Sequence, residues 1–270
     1  MLKVHHINCG TLRVPGYPTV VCHCLLLEAE EGLVLVDTGI GLEDVRDPAG
    51  RLGQELVDGA GFQFHEDDTA IRRIEALGFS PNEVRHIVLT HADPDHTGGL
   101  ADFPHAQVHI AEEEFQALQA GTNPRYVPSH FSHGPNWQTY GFGTVIDWFG
   151  LKVRQVELNI PSAPADVFLL PLFGHTVGHC GVAIWQDGTW LLHAGDAYYL
   201  RAELTQEDHP VNALARARAA HDRWRLNGLT QLRRIFADHS DEVSMIGYHD
   251  ITELPDHPDI TPDAGYVPVG

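Results

Sequence analysis

Apolar residues in this chain come in short dense runs separated by polar, glycine-rich stretches, the pattern of a protein built from many strands. Runs at 4–8, 20–28 and 33–36 predict three early strands, the last leading into Asp37-Thr38-Gly39. A Gly-rich polar stretch follows. Ile71, Ile74 and Leu77 then recur at helical spacing while Arg72, Arg73 and Glu75 face away, which predicts an amphipathic helix over 68–77 closed by Gly78. Further strands are expected at 87–89, 107–110, 167–170, 181–185, 190–193 and 243–247, with a helix over 111–120. Two helical segments, 211–226 and 228–238, are separated near Asn227-Gly228, and Leu229, Leu232, Ile235 and Phe236 mark the buried face of the second. The segment 121–150 breaks the pattern. It holds seven of the 23 aromatics (Tyr126, Phe131, Trp137, Tyr140, Phe142, Trp148 and Phe149) among prolines and glycines, and is expected as an aromatic-rich insert or lid over a pocket.

The strand at 87–89 runs directly into Thr90-His91-Ala92-Asp93-Pro94-Asp95-His96-Thr97-Gly98-Gly99, with four potential metal ligands in six residues. On an extended backbone residues two apart point the same way, so His91, Asp93 and Asp95 can converge. His96 then turns back at the start of a helix, where Gly98 and Gly99 permit close backbone approach. Three more candidates follow strand-like segments: His175 in Phe-Gly-His-Thr, Asp196 in His-Ala-Gly-Asp-Ala and His249 in Gly-Tyr-His-Asp. Imidazoles and carboxylates suit zinc, iron, manganese or cobalt. Seven such residues suffice for two ions sharing a bridging carboxylate. A ligand set reaching from residue 91 to residue 249 requires most of the chain to fold as one unit, so a single domain over 1–270 is expected.

Charge narrows the partners. With 37 acidic against 17 basic residues and a net charge of -20, nucleic acid and anionic membranes are disfavoured. That leaves a small-molecule substrate, with the oligomeric state open. The N-terminal residues carry no basic or long apolar segment and no window approaches the roughly 20 apolar residues of a spanning helix. Cys9, Cys22, Cys24 and Cys180 show no disulfide framework, and Cys22-His23-Cys24 alternates within a strand, so the cysteines read as small apolar residues. A cytoplasmic location is expected. There is no Gly-x-Ser-x-Gly elbow, Walker loop or dinucleotide fingerprint to suggest another chemistry.

Taken together, Val36-Asp37-Thr38-Gly39, Thr90 to Gly99, Gly174-His175-Thr176, Gly195-Asp196 and His249 resemble, in order, the motifs of the metallo-beta-lactamase superfamily of hydrolases. The resemblance implies a four-layer αββα sandwich with two divalent metal ions at one edge of its sheets. It places His91, Asp93 and His175 around the first ion, Asp95, His96 and His249 around the second, and Asp196 between them. Asp37 matches an aspartate that orients ligands from behind. Asp93 departs from the pattern: the family's HxHxDH is HxDxDH here. A carboxylate adds charge and hardness, so iron or manganese stands beside zinc, the first expectation; flavodiiron reductases carry HxExDH. Three outcomes stay open at Asp93: a direct ligand, a weakened first site, or an inactive centre.

The implied chemistry is hydrolysis of an ester, lactone, thioester or amide by a metal-bridging hydroxide, with Asp95, Asp196 and Tyr199 in the catalytic set. Tyr199 lies three residues after Asp196, where N-acyl homoserine lactonases carry a tyrosine that contacts the substrate carbonyl; its alternative is a packing residue beside Tyr198. The leading expectation is a dinuclear metallohydrolase for a small carboxylic ester or lactone. Competing readings are a glyoxalase-II-like thioesterase, an iron-dependent redox enzyme of flavodiiron or dioxygenase type, and a non-catalytic binding protein. Arg125 is the only Lys or Arg of 121–150, which weakens the glutathione-binding alternative. Arg216, Arg218, Arg223, Arg225, Arg233 and Arg234 are expected as a solvated face, and His179 and His193 either as donors behind the ligands or as turn and core residues.

Overall fold

Alternation inside each apolar run decides which way its side chains face. The computed structural model describes residues 3–14, 16–29, 32–143, 145–158 and 167–255. One sheet comprises β1 (Lys3–Leu12), β2 (Val20–Ala29), β3 (Gly32–Val36), β4 (Phe62–Gln63), β5 (Val84–Val88), β6 (Gln107–Ala111) and β7 (Asn136–Tyr140), in spatial order β4-β1-β2-β3-β5-β6-β7. The other comprises β8 (Ile146–Trp148), β9 (Leu151–Gln155), β10 (Val167–Pro171), β11 (Cys180–Gln186), β12 (Thr189–His193) and β13 (Val243–Ile246), in order β13-β12-β11-β10-β9-β8. Leu25, Leu27, Val34 and Val36 from the first sheet meet Val167, Leu169, Val182 and Ile184 from the second in one inter-sheet core. Their immediate neighbours Leu26, Leu35, Leu170 and Ala183 point to the opposite faces. Such strands read as continuous apolar runs because both of their faces are buried.

Helices cover the outer faces. α1 (Leu42–Arg46), α2 (Pro48–Leu52), α3 (Gln54–Ala60) and α4 (Ala70–Ala76) pack against the first sheet through Val45, Leu52, Leu56 and Ile74. α5 (Pro94–Thr97) is a single turn that itself carries Asp95 and His96, so only His91 and Asp93 of the expected extended run precede it, and α6 (Glu112–Ala120) follows β6. α7 (Asn212–Arg218) precedes α8 (Asp222–Asp238), which buries Leu229, Leu232 and Ile235 against the second sheet. The order of layers is α/β/β/α, as the resemblance implied.

Several local expectations change. The Gly-rich stretch after β3 holds three short helices, since five to seven residues are too few for a helical period to show. Leu77, expected on the buried face of α4, is 40% exposed at its C-terminal cap, and Ile74 alone of the three is fully buried. The break between the last two helices lies at 219–221 instead of Asn227-Gly228. There the N–H groups of Ala220 and His221 donate to the carbonyls of His175 and Gly174, at 3.0 and 2.9 Å, so docking to another loop breaks the helix where propensity does not. Within 121–150, residues 124–128 line the main cavity, whereas β7 and β8 extend the two sheets. Of its seven aromatics only Tyr126 lines that cavity; Tyr140 and Trp148 are core residues. The four cysteines are free and buried, consistent with apolar packing.

The connections gather the motifs. β3 pairs parallel with β5 and β12 parallel with β13. Parallel pairing brings C-terminal ends together, so Asp37, the His91 loop, Asp196 and His249 all emerge at one edge of the facing sheets.

Candidate metal centre

All seven side chains singled out in the sequence meet at that edge. Asp196 is the hub: its Oδ1 lies 3.3 Å from His96 Nε2, and its Oδ2 lies 3.3 Å from His249 Nε2 and 3.4 Å from His175 Nε2. On one side Asp93 Oδ2 stands 3.0 Å from His175 Nε2 and 3.5 Å from His91 Nε2. On the other, Asp95 Oδ2 stands 3.5 Å from His249 Nε2 and 3.9 Å from His96 Nε2. Ligands about 2 Å from a tetrahedral ion lie roughly 3.3 Å from one another, so these separations suit donors around cations. Three overlapping groups of potential ligands emerge: His91, His96 and Asp196; His91, Asp93 and His175; Asp95, His96 and His249. Buried atoms left without a hydrogen-bond partner concentrate here, among them His91 Nε2, His96 Nε2, Asp93 Oδ1 and Asp196 Oδ1. Buried polar atoms without partners are costly, and a bound divalent ion would satisfy this set.

Electrostatics agree with the geometry. Burial alone would push the Asp93 and Asp196 carboxyls up, yet the adjacent imidazoles hold both well below the usual carboxylate range. Burial alone would push His96 and His249 down, but the facing carboxylates raise both. The carboxylates draw positive charge into the site, and divalent ions supply it with the imidazoles neutral.

The groups behind the candidate ligands set their orientation. Asp37, at φ 56°, accepts from the Thr90 N–H at 2.8 Å and the Thr90 hydroxyl at 2.7 Å, and lies 2.8 Å from His96 Nδ1. His91 Nδ1 lies 3.1 Å from Thr90 Oγ1, and His249 Nδ1 donates to the Val21 carbonyl at 2.9 Å. In each case the Nε2 edge is left facing the cluster. His179 donates from Nδ1 to the Leu172 carbonyl and accepts the Asp196 N–H at Nε2, at 3.0 and 2.9 Å. His193 donates to the His23 carbonyl at 2.7 Å and accepts the Gly195 N–H. Both serve as supports for the Asp196 turn. Gly98 and Gly99 do permit close approach: a Cβ on Gly98 would sit 2.2 Å from Asp44 Oδ2, and one on Gly99 2.7 Å from the Thr38 carbonyl.

Sequence reasoning missed Glu114. Fully buried on α6, it accepts from the Ala92 N–H at 2.8 Å, the Tyr126 hydroxyl at 2.7 Å, the Thr176 hydroxyl at 2.7 Å and the Gly178 N–H at 3.0 Å. One carboxylate thereby ties the His91 loop, the His175 loop and the wall of the cavity. In the sequence it is the last of three glutamates in a helix's first turn, which the helix dipole alone would explain.

A cavity of about 870 Å³ opens onto the cluster. Asp93, Asp95, His175, Asp196 and His249 form its polar floor, and Leu12, Val14, Leu52, Leu56 and Phe62 an apolar wall. Tyr199 also lines it, with ring centroids 6.0 Å from His175 and 5.4 Å from His249; burial, then the charge of Asp196, pushes its phenol well up. Of the arginines expected as a solvated face, Arg225 is buried against Asp222 at 2.8 Å, and Arg218 lines the cavity. Arg125 reaches Asp93, its Nη2 lying 3.1 Å from Oδ2.

Residues 17–233 match the family model described as the metallo-beta-lactamase superfamily. A probable metallo-hydrolase of Mycobacterium tuberculosis is 42% identical over 209 residues, covering 75% of this chain and 64% of that relative, so the match spans just under two thirds of the relative's length. The N-acyl homoserine lactonase AttM of Rhizobium johnstonii is 31% identical over 179 residues, covering 66% of this chain and 64% of that protein. Among solved structures, an N-acyl homoserine lactone hydrolase with its product N-hexanoyl-L-homoserine at the catalytic metal centre superposes with a TM-score of 0.71, over 93% of this chain and 94% of that one, at 20% identity. At that identity the likeness is one of fold.

Proposed function

This chain belongs to the metallo-beta-lactamase superfamily, and on that premise we propose that it is a metal-dependent hydrolase opening a small lactone or carboxylic ester. One observation carries the reading: six side chains gather at ligand spacing around Asp196, at the floor of a cavity with an apolar wall. In the proposed assignment His91, Asp93 and His175 hold one divalent ion, Asp95, His96 and His249 hold a second, and Asp196 bridges. Zinc is the proposed metal. When bound, such ions polarise a carbonyl oxygen and bring the pKa of water toward neutrality.

The remaining roles fall to the chain itself. Asp95, on the cavity floor, is the proposed acceptor of the proton that the attacking water loses. Tyr199 keeps its proton, because its phenol is pushed up, and its hydroxyl can donate to the oxyanion that develops on the opened carbonyl. The apolar wall suits an acyl tail. N-acyl homoserine lactones combine a strained ester ring with such a tail and are the first substrates to test. Elemental analysis followed by a screen of lactones, aryl esters, thioesters and phosphodiesters decides the matter. Two equivalents of zinc and chelator-sensitive lactone turnover are expected. Activity on phosphodiesters alone, or iron with oxygen consumption and no hydrolysis, would replace this reading.

A further inference from the structure

We propose that Arg125 is a positioning residue for the first metal ion, forming with Asp93 a neutral pair that takes the place of the histidine usual at that position. The inference rests on the metal assignment above. Asp93 Oδ2 has three close neighbours: His175 Nε2 at 3.0 Å, Arg125 Nη2 at 3.1 Å and His91 Nε2 at 3.5 Å. Arg125 is itself held. Its Nη2 donates to the His175 carbonyl at 3.2 Å, its Nη1 to the Arg218 carbonyl, and its backbone N–H to Asn123 Oδ1 at 3.1 Å. The guanidinium fork thus spans the Asp93 loop, the His175 loop and the end of α7.

Charge explains the pairing. A histidine at position 93 would be a neutral ligand; a carboxylate puts a third negative charge into a buried centre that already holds Asp95 and Asp196. An uncompensated buried charge is strongly destabilising. The guanidinium stays protonated at any working pH and returns the local total to that of the three-histidine arrangement. A carboxylate has about four acceptor positions, so bonding Arg125 leaves Asp93 lone pairs for an ion, and its Oδ1 is buried without a hydrogen-bond partner.

The test is zinc titration with chelator competition on the full chain, alongside thermal melts, for wild type, Arg125→Gln, Arg125→Lys, Asp93→His and Asp93→His/Arg125→Gln. Wild type should take up two zinc ions. Arg125→Gln should weaken one of them roughly 10- to 100-fold, the usual effect of losing a group that supports a ligand, while the other holds, and Arg125→Lys should recover part of the loss. In the Asp93→His background the Arg125→Gln change should leave zinc affinity unchanged or raise it. A purely structural role predicts the same loss in both backgrounds and would overturn the proposal, as would two full-affinity sites in Arg125→Gln. Wild type that binds one ion, with Arg125→Gln gaining a second, would mean that Arg125 holds Asp93 away from the metal, the reverse of the claim. Wild type that binds none would sink the metal assignment itself and this inference with it.

Discussion

At residue scale, the centre is organised by which nitrogen of each imidazole is already engaged. His91, His96 and His249 turn Nδ1 toward Thr90, Asp37 and the Val21 carbonyl, so Nε2 of each faces the cluster. Tyr199 differs: its ring packs edge-on near His175 and His249 and lines the cavity, and its hydroxyl has no hydrogen-bond partner among the described residues. If it donates to an oxyanion, Tyr199→Phe should lower kcat about 10²-fold while zinc content stays at the wild-type value. Steady-state kinetics on the best lactone, paired with elemental analysis, checks both halves. An unchanged kcat would return Tyr199 to a packing role.

At the scale of elements, the ligand-bearing loops are tied together through a side chain from α6. Glu114 joins two of them through three donors and takes a fourth from Tyr126, and Gly195 lets the Asp196 turn close. Gly195 has φ 56°, and a Cβ there would lie 2.6 Å from His179 Nε2, the acceptor of the Asp196 N–H. Glu114→Gln replaces one acceptor oxygen by a donor facing other donors. It should cost about 2–4 kcal/mol of folding stability and loosen the His175 loop. Urea unfolding gives the first quantity, and hydrogen exchange at Thr176 and Gly178 the second. A stability change below 1 kcal/mol would mean that the loops do not depend on this carboxylate.

At the scale of the whole molecule, the fold carries many buried histidines, and these set its response to acid. Burial lowers His109 to about 3, with the neighbouring His86 adding to the effect, and lowers His6 to about 4. It also depresses His23, His179 and His193. For a base whose folded pKa is depressed, the neutral form is favoured in the fold while the unfolded chain binds protons from about pH 6.5 downward. The contribution of these histidines to stability should therefore be full above that value and fall as pH drops toward 4. For His109 the loss is on the order of 3 kcal/mol at pH 4. Thermal melts between pH 7.5 and 4 in chelator, which removes the contribution of metal release, should show a steady decline, shallower in His109→Gln. A flat profile would contradict the buried-neutral assignment.

The sequence by itself determined most of the strands and the buried stripe of α8, because strands buried on both faces must be apolar throughout and a packed helix must show a helical stripe; both patterns are local, whereas the order of the layers came only through the family resemblance. It also determined the candidate ligands, since few roles need so many histidines and aspartates at strand ends. Tertiary structure decided the rest. The short helices α1 to α3 are below the length at which periodicity shows, and the gap between α7 and α8 follows from bonds to the His175 loop. Glu114 and Arg125 carry no local signature, because their partners lie on loops distant in sequence. For Asp93 the difference is largest: alone it reads as an anomalous, harder ligand, and only the fold sets Arg125 beside it to cancel the charge.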